Sequence, residues 1–470
     1  MSDRPWLRRA MELSEEYLDS LAERPVGPRA GLPELRQALG GPLPEAGVDP
    51  TEVIEALARG AEPGLMASAG PRFFGFVIGG SVPAALAADW LASAWDQNGA
   101  LHIASPAAAT VEDVAAGWVL DLLGLPSTAS VGLVTGCQMA NFTCLASARH
   151  AVLERAGWDV EKDGLQGAPP IDVVIGEEAH ATILSALRML GLGAGRARRV
   201  PVDGQGRMQV AALRETLASL TGPTIVCAQA GNVNTGAFDP IHSIADAVRD
   251  KEAWLHVDGA FGLWAAASPA RRHLVQGHTR ADSWATDAHK WLNVPYDSGL
   301  AIVAHPQAHG AAMAKRAAYL LRGDGLRDNH DYTPESSRRA RGFALWAALR
   351  SLGRNGVADL VERSCAIASR IATRLAADPG VRILNEVALN QVLLRFEPEG
   401  VKDPDALTKA VMARVQREGV CWASGSRWHG MDVMRISVSN WSTSEGDADR
   451  SAAAILDALR HEAGVGLDRG

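Results

Sequence analysis

The sequence predicts an α/β protein built on a mostly parallel β-sheet, preceded by a helical arm and followed by a smaller α+β unit. Three observations carry this. Short apolar runs alternate with helical stretches through the middle of the chain, and that alternation implies βαβ units whose sheet is covered on both faces. The 470 residues exceed one ordinary domain. A content of 47% hydrophobic and 21% charged residues suits a globular chain with a sizeable core.

Residues 1–82 read as the arm: helices over 5–23 and 51–68, joined by the Pro/Gly-rich connector "RPVGPRAGLPELRQALGGPLPEAGVDP". Residues 83–347 read as the large domain. It opens with two long helices, "VPAALAADWLASAWDQN" and "SPAAATVEDVAAGWVLDLLGL", whose apolar residues recur at i, i+3, i+4. Then "VGLVTG", "IDVVIG" and "PTIVCAQAG" read as strands, leading to the helices "CQMANFTCLASARHAVLERAG", "HATILSALRMLGL" and "IHSIADAVRD". "AWLHVDGA" and "GLAIVAH" are further strands. Residues 348–470 offer the strands "VRILNE", "QVLLRFEP" and "VMRISVSN" among three helices, which makes the smaller C-terminal domain.

Several function classes are disfavoured. A net charge of −8 with scattered arginines argues against nucleic acid or an anionic membrane as partner. The cysteines at 137, 144, 227, 365 and 421 form no CxxC pair or metal-type cluster, so no metal is expected. They read as reduced thiols of a cytoplasmic protein. The N-terminal residues are charged throughout and lack a signal-peptide core. The longest apolar stretch is broken by Asp89 and too short to span a bilayer.

The candidate chemistry sits where strands end, the usual ligand position in such sheets. Lys290 lies in "WATDAHKWLNVPYDSG". Lysine is scarce in this chain, and one buried among apolar groups has a lowered pKa and becomes a nucleophile suited to an aldehyde. Asp258 ends "WLHVD", where a carboxylate can hold a pyridinium proton or cap a helix. His180 opens a helix after "IDVVIGEEA", and its imidazole can stack on an aromatic ring or simply end the helix. "TGCQMAN" is a strand-to-helix turn whose free N–H groups suit a phosphate.

The order His180, Asp258, then "DAHKWL" with Lys290 resembles the group II pyridoxal-phosphate decarboxylases. That family includes aromatic-L-amino-acid, histidine, tyrosine and glutamate decarboxylases. The resemblance runs from Pro71 in "PRFFGFVIGGSVPAALAADWL" to Arg435 in "MRISVSN", and includes the 32-residue spacing from Asp258 to Lys290 and "GAFDPI" at 236–241. It implies fold type I, the aspartate aminotransferase-like architecture, with pyridoxal 5'-phosphate as cofactor. It implies that Lys290 bonds to the cofactor, that Asp258 pairs with the ring nitrogen, and that His180 and Ala260 cover the two ring faces. His289 belongs to the same cofactor segment. The phosphate would lie at Cys137, Gln138 and Met139, helped by Asn232 or Val233 and by Asp287. Two positions depart from the family pattern. The phosphate turn lacks small hydroxyl residues, so its contacts must be largely backbone. Asp287 stands where Asn is common, an unexpected charge beside a phosphate.

The resemblance also makes Tyr319 the proton donor to the substrate α-carbon, with Tyr332 as rival; relatives that make aldehydes carry Phe at the first place. The run after Tyr319 reads as a long loop of the kind that forms lids. Phe76, Val77, Ile78 and Gly79 fall where the family lines its substrate pocket, with Trp90 or Trp95 near, which favours an aromatic L-amino acid. Arg72 is the alternative, as receptor for an acidic side chain. Other readings are an aldehyde synthase, an aminotransferase using Arg435 for the α-carboxylate, and a non-catalytic homologue. A desulfurase would need a cysteine in 319–340, which has none. A homodimer with active sites at the subunit interface is implied.

Overall fold

The computed structural model describes residues 4–315 and 327–467. The arm holds α1 (Pro5–Ser20), α2 (Leu32–Leu39) and α3 (Pro50–Ala61). The connector expected to be irregular thus contains α2, where the Glu34 carboxylate accepts from the Gly31 N–H at 3.1 Å. Helices α1 and α2 bury no residue and α3 buries only Gly60; the arm's buried cluster of Val26, Ala67 and Phe73 packs against Trp422 from the C-terminal part.

The large sheet follows α4 (Pro83–Trp95) and α5 (Pro106–Leu123). Its elements run β1 (Ser130–Val134), α6 (Cys137–Arg155), α7 (Val160–Asp163), β2 (Asp172–Gly176), α8 (Ala181–Met189), β3 (Arg198–Val200), α9 (Val210–Ala218), β4 (Thr224–Gln229), α10 (Ile241–Arg249) and β5 (Trp254–Asp258). They continue with β6 (Ser283–Asp287), β7 (Gly299–Val303) and α11 (Pro306–Met313). The strand order is β1-β7-β6-β5-β4-β2-β3, with β7 antiparallel to both neighbours and the other pairings parallel. Alternate residues of each strand face opposite sides. Ile225 and Cys227 of β4 pack with Ile183 of α8, whereas Val226 packs in the cluster of Ile244 from α10 and Leu345 from the helix below. Both faces are therefore covered, which is why these strands read as continuous apolar runs.

Helix α12 (Gly342–Ala376) leads into β8 (Val381–Ile383), β9 (Gln391–Phe396), α13 (Pro404–Glu418), β10 (Ser424–Trp428), β11 (Met431–Ser437) and α14 (Glu445–Leu467). Helix α12 breaks at Gly353, where φ is 60°. These strands form an antiparallel sheet of order β10-β11-β9-β8, packed on its own apolar cluster with α13 and α14. Every strand expected from the sequence forms. Three unexpected ones are β3, β6 and β10. The missed β6 matters most: its sequence "SWATD" looks half polar, yet all five residues are buried.

Candidate active site

Asp258 ends β5 and Asp287 ends β6, its neighbour in the sheet. The N-terminus of α6, after β1, and that of α8, after β2, lie at the same end, as parallel connectivity requires. Asp258 is 5% exposed and receives three hydrogen bonds. The Cys137 thiol and the Ala260 N–H donate to Oδ1 at 3.4 and 3.3 Å, and Asn141 Nδ2 donates to Oδ2 at 3.2 Å. Cys137 and Asn141 stand one turn apart on α6 and so face the same carboxylate. Burial and the Asp258 charge push the Cys137 thiol well up, which keeps its hydrogen in place. The Cys137 side chain therefore serves Asp258, and only its backbone is free for a phosphate.

Lys290 Nζ lies 3.1 Å from Asp287 Oδ2. Burial lowers the affinity of Lys290 for its proton, but the charges of Asp287 and Asp258 and the Asp287 hydrogen bond outweigh it, and the net shift is upward. This corrects the expected depression, because Lys290 faces a carboxylate rather than apolar groups. His289 Nδ1 accepts from the Ser298 N–H at 3.2 Å, so in the neutral ring Nε2 holds the hydrogen and faces Asp287 Oδ1 at 3.5 Å. Burial lowers the His289 pKa. Tyr296 stacks on the His289 ring, centroids 4.3 Å apart.

Asp287 also lies against the start of α6: a Cβ on Gly136, the residue before that helix, would stand 3.5 Å from Asp287 Oδ1 and 3.0 Å from His289 Cε1. No side chain caps α6. Its first N–H groups and helix dipole favour an anion there, so the charge of Asp287 is offset by the helix, Lys290 and His289 together. Gln138 is exposed and Met139 partly buried in this first turn.

His180 caps α8. Its Nδ1 accepts from the Thr182 N–H at 3.3 Å and lies 2.9 Å from Thr182 Oγ1. Burial lowers its pKa, which favours a neutral ring suited to stacking. Ala260 is partly buried, and its carbonyl accepts from the Asp287 N–H at 2.9 Å. Asn232 is withdrawn from the expected phosphate role: its Oδ1 accepts from the N–H groups of Asn234 and Thr235, and its Nδ2 donates to Glu178. Glu178 also accepts from His429 Nε2 at 2.8 Å. That bond ties the β2–α8 connection to the β10–β11 hairpin.

The segment 75–79 reaches Lys290 through its backbone. A Cβ on Gly79 would stand 1.9 Å from the Lys290 carbonyl oxygen, and one on Gly75 2.1 Å from the Trp422 ring. Phe76 is 58% exposed and leans on Trp422 at 5.3 Å; Val77 is buried and Ile78 partly so. Phe76 and Val77 both have left-handed backbones, φ 55° and 57°, a strain of about 1–3 kcal/mol each that surrounding packing must hold. Trp90 and Trp95 are largely exposed on α4, with Trp95 edge-on to Phe343. Arg72 is not available for an acidic substrate: it is 1% exposed, and its guanidinium donates to the carbonyls of Ala22, Arg24 and Val420. Tyr319 lies outside the described residues. Tyr332 packs edge-on to His309 with Arg327 over its ring, contacts that do not lead to Lys290.

Arg435 of β11 is 7% exposed, and burial lowers its pKa to about 10. Among the described residues its Nε has no hydrogen-bond partner and its guanidinium forms no ion pair. Asp287 Oδ1, with His289 Nε2 at 3.5 Å, and Ser298 Oγ likewise have no hydrogen-bond partner among the described residues. Buried polar atoms without hydrogen-bond partners are expected where a ligand supplies the missing partners. The set fits pyridoxal phosphate: an amine for its aldehyde, a carboxylate for its ring nitrogen, a neutral imidazole for its face and an uncapped helix for its phosphate. Sequence reasoning missed Asn141, Glu178 and His429. For the buried His256 one signal existed: His256 and Asp258 alternate on β5 and so share a face.

Residues 34–397 match the family model of the pyridoxal-dependent decarboxylase conserved domain. The chain is 27% identical over 442 residues to the aromatic-L-amino-acid decarboxylase of Bacillus atrophaeus, covering 92% of this chain and 90% of that protein. It is 26% identical over 449 residues to the 4-hydroxyphenylacetaldehyde synthase of Rhodiola rosea, covering 92% and 90%. The crystal structure of Oryza sativa TDC with PLP and tryptamine superposes with a TM-score of 0.90 at 25% identity, covering 97% of each chain.

Proposed function

We propose, for a chain that belongs to the pyridoxal-dependent decarboxylase family, that it removes the α-carboxylate of an aromatic L-amino acid as CO2 and releases the amine. Its architecture is fold type I and its cofactor is pyridoxal phosphate. The observation that carries the reading is Lys290, three residues past β6 and 3.1 Å from Asp287, with Asp258 at the end of the neighbouring strand β5. When bound, the cofactor supplies an electron sink for the pair left behind by CO2.

The residues divide the remaining work. Lys290 would hold the cofactor through its Nζ amine, the group suited to an aldehyde. Asp258, which accepts from three neutral donors, would pair with the protonated ring nitrogen. His180 and Ala260 would cover the ring, and the N–H groups of Cys137, Gln138 and Met139 would hold the phosphate. Arg435, a buried guanidinium with no ion pair among the described residues, orients the substrate carboxylate. Tyr319 delivers the proton to the α-carbon. Phe76 with Val77 and Ile78 supports the apolar side chain of the substrate, next to the Lys290 backbone.

The same proposal includes the division at 82/83 and 347/348, the latter inside α12 ahead of its break at Gly353. It also includes a cytoplasmic homodimer with sites at the subunit interface. Among the described residues no helix is long and apolar enough to cross a membrane. The test is amine release from tryptophan, tyrosine, phenylalanine, histidine, glutamate and aspartate. Turnover of an aromatic member is expected; turnover confined to glutamate or aspartate would overturn the substrate class. Tyr319→Phe is expected to lose amine and gain oxygen-dependent aldehyde, and an unchanged product would place the proton donor elsewhere.

A further inference from the structure

A line of buried polar side chains runs through the sheet beneath Asp258 and His180. Trp254 Nε1 donates to Ser283 Oγ at 2.9 Å, and Ser283 Oγ lies 2.9 Å from His256 Nδ1. His256 Nε2 lies 2.9 Å from Asn141 Oδ1. Asn141 Nδ2 then reaches two atoms at 3.2 Å, Asp258 Oδ2 and Thr182 Oγ1. Thr182 Oγ1 lies 2.9 Å from His180 Nδ1. Asn141, His256 and Ser283 are 0% exposed.

Every hydrogen in this line follows from one anchor. An ionised carboxylate only accepts, so Asn141 must turn its Nδ2 toward Asp258. Its Oδ1 then faces His256, whose Nε2 must carry a hydrogen. Burial pushes the His256 pKa down to about 4, so the ring is neutral and its Nδ1 is bare. Nδ1 therefore accepts the Ser283 hydroxyl hydrogen, and the Ser283 oxygen accepts from the indole. On the other branch, the second amide hydrogen of Asn141 goes to Thr182 Oγ1, leaving that hydroxyl to donate to His180. The Thr182 backbone N–H points at the same Nδ1 and can only donate, so the neutral His180 ring carries its hydrogen on Nε2.

We propose that Asn141 is a positioning residue whose two amide hydrogens orient the Asp258 carboxylate and, through Thr182 Oγ1, direct a second donor at His180 Nδ1 that reinforces the Nε2–H tautomer already favoured by the Thr182 backbone N–H. One side chain thereby prepares both the partner of the cofactor ring nitrogen and the ring that covers its face. The inference rests on the cofactor reading above for its consequence, but the tautomers belong to the protein alone. In a low-dielectric interior such a line is stiff, because turning the amide would set two acceptors face to face at Asp258 and two donors face to face at His256.

The test uses the full chain. Nitrogen-15 shifts of the His180 and His256 rings, read without cofactor, report which nitrogen carries the hydrogen. The wild type is expected to show Nε2–H at both. Asn141→Asp keeps the shape and loses both amide hydrogens. It should disturb the His180 shifts and weaken pyridoxal phosphate binding by about ten- to a hundredfold, the scale of a hydrogen bond to a charged group. Thr182→Val, at a partly buried and more tolerant site, cuts only the His180 branch. It should move the His180 shifts and leave those of His256 unchanged. A wild-type His256 with its hydrogen on Nδ1, or His180 shifts unmoved in both variants, overturns the proposal. A wild type that binds no cofactor would instead defeat the cofactor reading, while the ring shifts would still decide this one.

Discussion

Asp258 and Asp287 are the same residue type at the ends of adjacent strands, and both are buried, yet they are held in opposite ways. Asp258 is surrounded by neutral donors: a thiol, an amide and a backbone N–H. Asp287 faces the Lys290 ammonium, a histidine and the start of α6. Neutral donors stabilise the anion without cancelling it, so Asp258 can still attract a proton-bearing ring nitrogen. Asp287 is a counter-ion to Lys290, a partner that would change state if Lys290 bonds the cofactor as proposed. Position in the fold therefore does not assign a role to a carboxylate; the charge of what faces it does.

The largest effect expected from breaking this contrast is at Lys290. Lys290→Ala should abolish both the visible absorbance of bound cofactor and amine release; retained turnover would remove Lys290 from the chemistry. Next is Asp258→Asn, which keeps the shape and loses the charge. Its decarboxylation rate in single-turnover measurements should fall by about 10²–10³-fold, as for other loss of preorganised charge stabilisation. An unchanged rate would place the ring-nitrogen partner elsewhere.

Asp287→Asn should act on pH rather than on the ceiling of the rate. In the wild type the Lys290 pKa lies above its ordinary value. The neutral amine needed to capture an aldehyde therefore appears only as pH rises through that raised value. The stability from the Asp287–Lys290 pair follows the same sign: it is whole below the ordinary lysine pKa and is lost above the raised one. Removing the Asp287 charge should move the pH profile of cofactor uptake down, followed as growth of visible absorbance. A profile that does not move would show that Asp287 is not the controlling charge. The smallest effect is at Cys137→Ala, which removes one weak donor from Asp258. About two- to tenfold loss of cofactor affinity is expected, measured by titration; a larger loss would mean that the thiol, and not the amide of Asn141, is the main support.

The sheet was legible because its strands are buried on both faces and read as unbroken apolar runs, such as "IDVVIG" and "GLAIV". Strand β6 escaped the same reading because its polar residues find buried side-chain partners, Ser283 with Trp254 and His256 and Asp287 with Lys290, which the strand's own sequence does not show. Lys290, Asp258 and His180 were legible as chemistry-bearing residues at strand and helix ends. Their supports were not. Asn141 and Asp258 are 117 residues apart in the chain, and no local pattern announces such a pair. The same limit explains Arg72, whose charge suggested a substrate contact until its three carbonyl partners were visible. It explains Lys290 too, whose pKa direction was set by a counter-ion three residues away that the sequence alone placed beside a phosphate.

The segment facing Lys290 has a practical consequence for changing what this protein accepts. At Gly75 and Gly79 any side chain would collide with the Trp422 ring or the Lys290 carbonyl. A mutagenesis library spread evenly over 75–79 would therefore lose most members to misfolding. Diversity confined to Phe76 and Ile78, the two positions not fully buried, samples side chains beside the proposed substrate position while the backbone stays where the two glycines put it.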